Sequence, residues 1–154
     1  MLLISKKFVP AANKEKKMEK KKVVIIGGGF GGLSAARELE DSEEFEVTIL
    51  DKENYHLFQP LLYQVATSAL SPADIAMPIR AIFRGKKNIK VLMEDAVSID
   101  KENKIVVTGE SKIPFDFLIA APGSRHSYFG HPEWERFAPG LKTLKDAIFL
   151  RERI

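Results

Sequence analysis

The chain has 154 residues, of which 45% are hydrophobic and 29% are charged, a balance typical of one globular domain. No apolar run approaches the roughly 20 residues of a membrane span, and the first ten residues are too soon broken by lysines to form a secretory signal. There is no cysteine, which excludes disulfides, thiolate metal sites and cysteine nucleophiles in this sequence.

The net charge of +3 is distributed unevenly along the chain. Residues 1–22 contain eight lysines and two glutamates, a net of +6, so the remaining residues sum to −3. Nucleic-acid-binding domains carry basic residues on a folded face, and we therefore expect no nucleic acid as a partner. We interpret residues 1–21 as a disordered, solvated tail rather than an anchor on an anionic membrane surface. Residues 1–17, before Met18, are interpreted as an upstream extension.

Residues 22–51 predict one βαβ unit. Lys22–Ile26 is a continuous, mostly β-branched run, the pattern of a strand buried on both faces of a parallel sheet. From Gly31 the apolar residues take the period of a helix, which we expect to end near Asp41. Val47–Leu50 is a second buried strand.

The turn between the first strand and the helix contains Gly27, Gly29 and Gly32 in G-x-G-x-x-G spacing. In this pattern the first glycine permits a tight turn, the second lets the backbone approach a pyrophosphate, and the third lets helix and strand pack closely. The helix N-terminus offers N–H groups and a positive dipole end to the phosphates. Asp51 ends the second strand 19 residues after Gly32, where an acid binds ribose hydroxyls and disfavours a 2′-phosphate. The unit predicts a dinucleotide site, and the pattern alone does not separate FAD from NAD.

Downstream, the simple alternation of strand and helix stops. The predicted elements are an aromatic connection over 55–63, a turn at Ser71–Pro72, a short helix over Ile79–Phe83, β segments over Ile89–Asp100 and Lys104–Thr108, a strand over Phe115–Ala121, and a helix from its cap Thr143 to Ile154. A β excursion followed by a returning strand suits a flavoprotein better than a simple dehydrogenase. We therefore predict an α/β fold: a Rossmann-like FAD-binding domain with a parallel sheet and a β excursion, in an incomplete form.

Three segments carry a resemblance to a known family: VVIIGGGFGGLSAA, LDKENYHLFQPLLYQVATSALSPADIAMPIRAIFR and FDFLIAAPGSRHSYFGHPEWERFAPGLKTLKDA. From about Val23 to Ile154 the chain resembles the type II, non-proton-pumping NADH:quinone oxidoreductases, which are FAD-dependent pyridine nucleotide oxidoreductases. The resemblance implies FAD as cofactor, NADH as substrate and a quinone as electron acceptor. It also implies that the complete enzyme lies at the cytoplasmic face of the inner membrane, held peripherally through a later part of its chain, while this segment is cytoplasmic.

The resemblance implies cofactor-binding residues, but no catalytic side chain and no metal ligand in this segment. The glycine turn faces the pyrophosphate, Asp51 takes the adenosine ribose with Lys52 beside it, and the backbone at Ala96–Val97 lies along the adenine. The family's later A-T-G turn corresponds to Ala121–Pro122–Gly123, where proline removes a hydroxyl and an N–H group. The implied set is Gly27, Gly29, Phe30, Gly31, Gly32, Asp51, Lys52, Val97, Ala121 and Gly123.

Other conspicuous side chains are interpreted as structural. His56 lies in the connection that passes near the isoalloxazine in the family, and we expect a hydrogen-bonded loop histidine rather than a catalytic one. Gln59 is placed to approach the flavin, although an ordinary role in a turn explains it equally. His126 and His131 are expected to order the edge of the domain. Aromatic residues in two segments are expected to be packed rather than to form a cofactor wall: Tyr55, Phe58, Tyr63, Trp134 and Phe137.

Because chains of the family are longer, we interpret this one as an N-terminal fragment that is inactive by itself. Residues 22–142 are assigned to the FAD-binding domain and residues 143–154 to the start of a connecting helix. Two alternatives stay open: a stand-alone dinucleotide-binding or regulatory module without catalysis, and a remnant without a stable fold. Disulfide reductases share the FAD domain but place a redox cysteine pair in the connection at 55–63, and this sequence has none.

Overall fold

The computed structural model describes residues 19–154, and the predictions for residues 1–17 and for the tail up to residue 18 lie outside the described residues. Lys21, which the sequence assigned to the tail, is the first residue of the first strand. Along the described chain the elements are β1 (Lys21–Ile26), α1 (Phe30–Leu39), β2 (Phe45–Asp51), β3 (Tyr55–Leu57), a 3-10 turn (Gln59–Leu61), α2 (Leu62–Ala66), α3 (Pro72–Ile75), β4 (Ala76–Pro78), α4 (Ile79–Ile82), β5 (Ile89–Met93), β6 (Ala96–Asp100), β7 (Ile105–Thr108), β8 (Lys112–Pro114), β9 (Phe117–Ala120), a second 3-10 turn (Pro132–Arg136) and α5 (Leu144–Arg151).

A four-stranded parallel sheet forms the centre of the fold, in the order β5-β2-β1-β9. The chain runs from β1 through α1 to β2, as the βαβ pattern predicts. On one face of the sheet, Ile25 and Ile49 pack with Ala36 of α1 and with Ile79, and all four are fully buried. On the other face, Val24 and Leu50 pack against Val106 of the small antiparallel sheet. The two-sided burial explains the continuous apolar runs of β1 and β2.

The predicted β excursion is a three-stranded antiparallel sheet, β6-β7-β8, after which β9 returns beside β1. The prediction of one β segment over Ile89–Asp100 is wrong, because β5 pairs with β2 in the parallel sheet while β6 pairs with β7. The chain changes sheets near Glu94, whose carboxylate accepts hydrogen bonds from the hydroxyls of Thr108, at 2.5 Å, and Ser111, at 2.6 Å. These bonds tie the crossing point to the antiparallel sheet.

A second hydrophobic cluster joins the connection after β3 to the last helix. Leu62 and Val65 of α2 pack against Ala147 of α5, and Val65 and Ala147 are fully buried. The Thr143 hydroxyl caps α5 by accepting a hydrogen bond from the N–H of Asp146 at 3.1 Å, as predicted. The helix ends at Arg151, short of the predicted Ile154. Within residues 19–154 no helix combines the length and apolar character that a bilayer crossing requires.

Candidate site at the carboxyl edge of the parallel sheet

The implied cofactor-binding residues all lie at or just beyond the carboxyl ends of the parallel strands. The glycine turn follows β1, Asp51 ends β2, Val97 lies four residues beyond the end of β5, and Ala121 follows β9. From β1 the chain adds β2 and then β5 on one side of the sheet, and it later adds β9 on the opposite side of β1. The strand order therefore reverses between β1 and β9. Ligands of open α/β sheets bind outside the carboxyl ends at such a reversal.

The first and third glycines of the turn are required by the packing of the protein itself. Gly27 has a φ of +103°, and a Cβ atom there would lie 2.1 Å from the carbonyl oxygen of Ala121. A Cβ atom at Gly32 would lie 1.8 Å from the carbonyl oxygen of Gly27 and 3.3 Å from the side chain of Ile25. The turn therefore brings β1, α1 and the end of β9 into backbone contact.

Gly29 differs from these glycines because the fold does not need a glycine there. Its backbone, with φ −76° and ψ −167°, is extended in a way that any residue adopts. Apart from Gly29 itself and its neighbours Gly28 and Phe30, no heavy atom of the described residues would lie within 4 Å of a Cβ atom on Gly29. The space above Gly29 is open to a ligand, and this is the position at which the fingerprint lets the backbone approach a pyrophosphate.

Helix α1 presents its N-terminus to the same space. Its first hydrogen bond runs from the N–H of Leu33 to the carbonyl of Gly29, at 2.9 Å, so the N–H groups of the preceding turn point out of the helix end. The N-cap, Gly29, has no side chain that could cap them, and the first turn contains no acid. The partial positive charge of this helix end is thus available to an anion.

Gly28, which the sequence analysis did not single out, is a buried residue of the turn. Its N–H donates to Oδ2 of Asp51, and a Cβ atom there would lie 2.3 Å from the side chain of Ile79. Oδ1 of Asp51 accepts a second hydrogen bond from the N–H of Glu53 at 2.7 Å. A carboxylate has about four lone-pair sites, so Asp51 keeps acceptor capacity for ribose hydroxyls. The signal was visible in the sequence: the variable position between two fingerprint glycines is itself glycine.

His56 contacts the next peptide group of the turn, between Gly28 and Gly29. Its Nδ1 lies 3.1 Å from the carbonyl oxygen of Gly28. A carbonyl oxygen only accepts, so Nδ1 carries the hydrogen and donates it. The ring of Phe30 packs edge-on against the imidazole, with centroids 4.9 Å apart and planes at 89°. The expected hydrogen bond is present and its partner is the glycine turn, but the expectation of a loop is wrong, because His56 lies in strand β3.

Three further members of the implied set lie beyond the ends of β5 and β9. Val97 is 71% exposed and lies at a register irregularity of β6, between Ala96 and Ser98, where a bulge frees backbone groups from the ladder. The N–H of Ala121 donates to the carbonyl of Ile26 at 2.8 Å, which continues the β1–β9 pairing to the edge of the sheet. Gly123, with a φ of +75°, turns the chain away beyond it.

The pKa of Tyr55 is changed by its surroundings, which include Asp51. Burial raises the pKa of the Tyr55 phenol above its ordinary value, and the negative charges of Glu53 and Asp51 raise it further. Tyr55 therefore stays neutral over the physiological range and adds no charge at this end of the sheet.

The structure gives Gln59 a structural contact, in agreement with the ordinary role in a turn, and leaves most of the aromatic residues exposed. Gln59 donates to the carbonyl of Lys142 at 3.2 Å and thereby holds the connection to the segment before α5. The expectation of packed aromatic residues is wrong for most of them, because they are 43–74% exposed. These exposed residues are Phe58, Tyr63, Trp134 and Phe137.

The segment at 126–137 forms a separate surface. The imidazole of His131 stacks on Trp134 with ring centroids 4.2 Å apart, and His126 lies 3.6 Å from a carboxylate oxygen of Glu135. An open groove of about 600 Å³ runs between this segment and α5, and Phe149 is part of its lining. Neither histidine is part of the carboxyl-edge site, which agrees with their predicted place at the domain edge.

Comparisons with known proteins place these features in a family context. The sequence model of the pyridine nucleotide-disulphide oxidoreductase family matches residues 21–153 of this chain. The chain is similar to two type II NADH:quinone oxidoreductases of Mycobacterium tuberculosis: NdhA, 47% identical over 129 residues, and Ndh, 43% identical over 129 residues. Each alignment covers 81% of this chain, which spans 27% of the length of NdhA and 28% of that of Ndh.

A solved structure gives the same result for the fold. The structure of NDH2 from Plasmodium falciparum in complex with NADH superposes with a TM-score of 0.79 and 25% identity, covering 88% of this chain and 29% of that chain. The predicted α/β class with a parallel sheet is confirmed, as is the resemblance to type II NADH:quinone oxidoreductases.

Proposed function

The chain belongs to the pyridine nucleotide-disulphide oxidoreductase family, and from this premise we propose that it binds FAD at the carboxyl edge of its parallel sheet. The whole protein is an NADH dehydrogenase that passes hydride from NADH to FAD and electrons to a membrane quinone. The similarity to NdhA and Ndh, both named as type II NADH:quinone oxidoreductases, supports the activity.

The observation that carries the proposal is the contrast among the glycines of the turn. At Gly27, Gly28 and Gly32 a Cβ atom would collide with the protein, so packing explains those glycines. At Gly29 neither space nor backbone conformation requires a glycine. The open space at Gly29 leaves room for a molecule outside the fold, and the N-terminus of α1 beside it favours a phosphate group.

The residues present fit FAD. The N–H groups at the start of α1 would bind the pyrophosphate, and the free lone pairs of Asp51 would accept from the adenosine ribose, with Lys52 next to Asp51 in the chain. The backbone at Val97 would contact the adenine, and Ala121 and Gly123 would border the flavin. Proline at position 122 offers no N–H group, so this chain has no flavin contact of that kind there.

When bound, FAD supplies the redox chemistry, since it accepts hydride from a nicotinamide and returns electrons to a quinone. The residues of this chain bind and orient it. Asp51 also disfavours a 2′-phosphate by charge repulsion, so a nucleotide that carries one competes poorly at this site.

The proposal extends to partners and location. NADH and quinone are the substrates of the whole protein, which associates peripherally with the cytoplasmic face of the membrane through a part outside this chain. The two mycobacterial relatives are type II NADH:quinone oxidoreductases, and this similarity supports NADH and quinone as the substrates.

Titration of the purified chain with FAD, followed by flavin fluorescence, tests the proposal. We expect saturable binding of FAD and none of NAD in a parallel cell. Gly29→Ala is expected to weaken FAD binding by more than about tenfold, or ~1.4 kcal/mol. Its free energy of unfolding is expected to stay within about 1 kcal/mol of the parent's, because only the preference at the N-cap changes.

Gly109→Ala is the matched control, because Gly109 also has open space for a Cβ atom but lies in the turn between β7 and β8. It is expected to bind FAD like the parent. A parent chain that unfolds cooperatively but ignores FAD contradicts the proposal for this chain and favours a module without catalysis.

A further inference from the structure

Two successive peptide groups of the glycine turn, on either side of the Cα atom of Gly28, are each held by a side chain. The N–H of Gly28 donates to Asp51, and the carbonyl of Gly28 accepts from Nδ1 of His56 at 3.1 Å. The first contact fixes the peptide that precedes Gly28, and the second fixes the peptide between Gly28 and Gly29. Asp51 and His56 come from different elements, β2 and β3, so the tertiary structure alone brings them to this turn.

The orientation of the second peptide decides where the N–H of Gly29 points. The described chain contains no cis peptide bond, so this peptide is trans, and its C=O and N–H groups point in opposite directions. With the carbonyl held by His56, the N–H of Gly29 is directed away from the imidazole. Gly29 is the residue above which the space is open.

The imidazole is itself held in place. His56 is half-buried, its backbone pairs with Met77 in the small β3–β4 sheet, and Phe30 packs edge-on against its ring. The side chain therefore reaches the turn from a fixed strand. A glycine-rich turn has the largest conformational freedom of any backbone, so an external hydrogen bond is an effective way to fix it.

We propose that His56 is a positioning residue for the phosphates of the cofactor: its Nδ1–H fixes the Gly28–Gly29 peptide so that the N–H of Gly29 faces the pyrophosphate. This inference rests on the proposed FAD site and deepens it. The contact that His56 makes is with the carbonyl of Gly28, so its effect on the phosphates passes through the backbone of the turn. Loss of the hydrogen bond leaves the turn free to rotate this peptide, which weakens the binding of phosphate-bearing ligands.

The test compares three substitutions of the same residue in the full chain. In His56→Asn, Nδ2 stands at the position of Nδ1 and still donates to Gly28. In His56→Gln the donor lies one atom further out, and in His56→Ala it is lost. FAD is titrated by flavin fluorescence, and ADP and adenosine are titrated by displacement of FAD. Unfolding in urea is recorded for each variant.

We expect His56→Ala and His56→Gln to bind FAD and ADP about 3- to 10-fold more weakly, the loss of one ordinary hydrogen bond. Adenosine, which lacks the phosphates, is expected to bind with unchanged affinity, and His56→Asn is expected to restore binding of FAD and ADP. A merely structural role would weaken adenosine and ADP alike. His131→Ala, at a histidine of the 126–137 surface, is expected to change none of these affinities.

Two results overturn the inference. In the first, the parent chain binds FAD, and the affinity of His56→Ala for FAD equals that of His56→Asn. The other is an equal loss of adenosine and ADP affinity in His56→Ala, or in His56→Asn if the alanine variant does not fold. A parent chain that binds neither FAD nor ADP overturns the proposed function first, and the role of His56 with it, so the two failures are distinguishable.

Discussion

The packing of helix α1 on strand β1 leads to a sharp prediction about two adjacent glycines. A Cβ atom at Gly32 would lie 1.8 Å from the carbonyl oxygen of Gly27, whereas a Cβ atom at Gly31 would lie 3.6 Å from the side chain of Ala121. The first distance is far inside van der Waals contact and the second is ordinary contact. Gly31→Ala and Gly32→Ala therefore introduce the same methyl group into the same helical turn with opposite consequences.

The magnitude follows from the two environments. In Gly32→Ala the helix must move away from β1, because the obstacle is backbone, and overpacking of this kind costs about 1–3 kcal/mol. The move also loosens Ala36, which is fully buried against the sheet. Replacing glycine by alanine within a helix returns up to about 1 kcal/mol, so we expect a net loss near 2 kcal/mol for Gly32→Ala. For Gly31→Ala we expect no loss and a gain of up to about 1 kcal/mol.

Urea unfolding, followed by far-ultraviolet circular dichroism, measures the difference. With a slope of about 2 kcal/mol per molar urea, Gly32→Ala should lower the midpoint by about 1 M relative to the parent. Gly31→Ala should leave the midpoint unchanged or raise it. Equal midpoints for the two variants would show that α1 does not lie against the Gly27 carbonyl, and the assignment of separate roles to the glycines would be wrong.

Three further predictions concern contacts outside the glycine turn. Asn88 is 7% exposed and donates to the carbonyl of Leu39 at 2.8 Å. Asn88→Ala should therefore lower the free energy of unfolding in urea by about 1–3 kcal/mol, and an unchanged midpoint would contradict this prediction. The pKa of Glu94 is lowered from its ordinary 4.5, and the hydrogen bond from the hydroxyl of Ser111 is the largest cause. The stability contributed by ionised Glu94 is therefore present above pH 4.5 and is lost as the pH falls through the pKa of the folded state. The urea midpoint of Glu94→Gln should therefore lie below the parent's at pH 7 and approach it near pH 3, and a constant gap would refute this. Thr143→Ala should cost about 1 kcal/mol through the lost helix cap, while Thr143→Ser should keep the parent's midpoint.

Strands that are buried on both faces were predicted from the sequence because they leave a local signature. The runs at β1 and β2 are continuous and β-branched, and the fold buries both sides of them. The glycine spacing and the acid at Asp51 are likewise properties of a short stretch. The predicted roles of Gly27 and Gly32 agree with the collisions that a Cβ atom would make at each position.

Strand pairing was not predictable in the same way. Ile89–Met93 and Ala96–Asp100 follow each other with β-forming residues, and no local feature states that one pairs with β2 and the other with β7. The prediction for the aromatic residues was wrong for a related reason. Phe58 and Tyr63 are residue types that are common in a core, but their burial depends on which other elements pack over them, and both are exposed.

By itself, the sequence determined the βαβ unit, the glycine turn and the acid that follows it, because each depends on residues near one another in the chain. Only the tertiary structure decided that Asp51 and His56 meet on either side of Gly28, and that Gly29 faces open space. Gly28 is separated from Asp51 by 23 positions in the chain and from His56 by 28 positions. Their existence depends on how β2 and β3 are placed around the end of β1, which is set by the packing of the whole sheet and not by any local pattern.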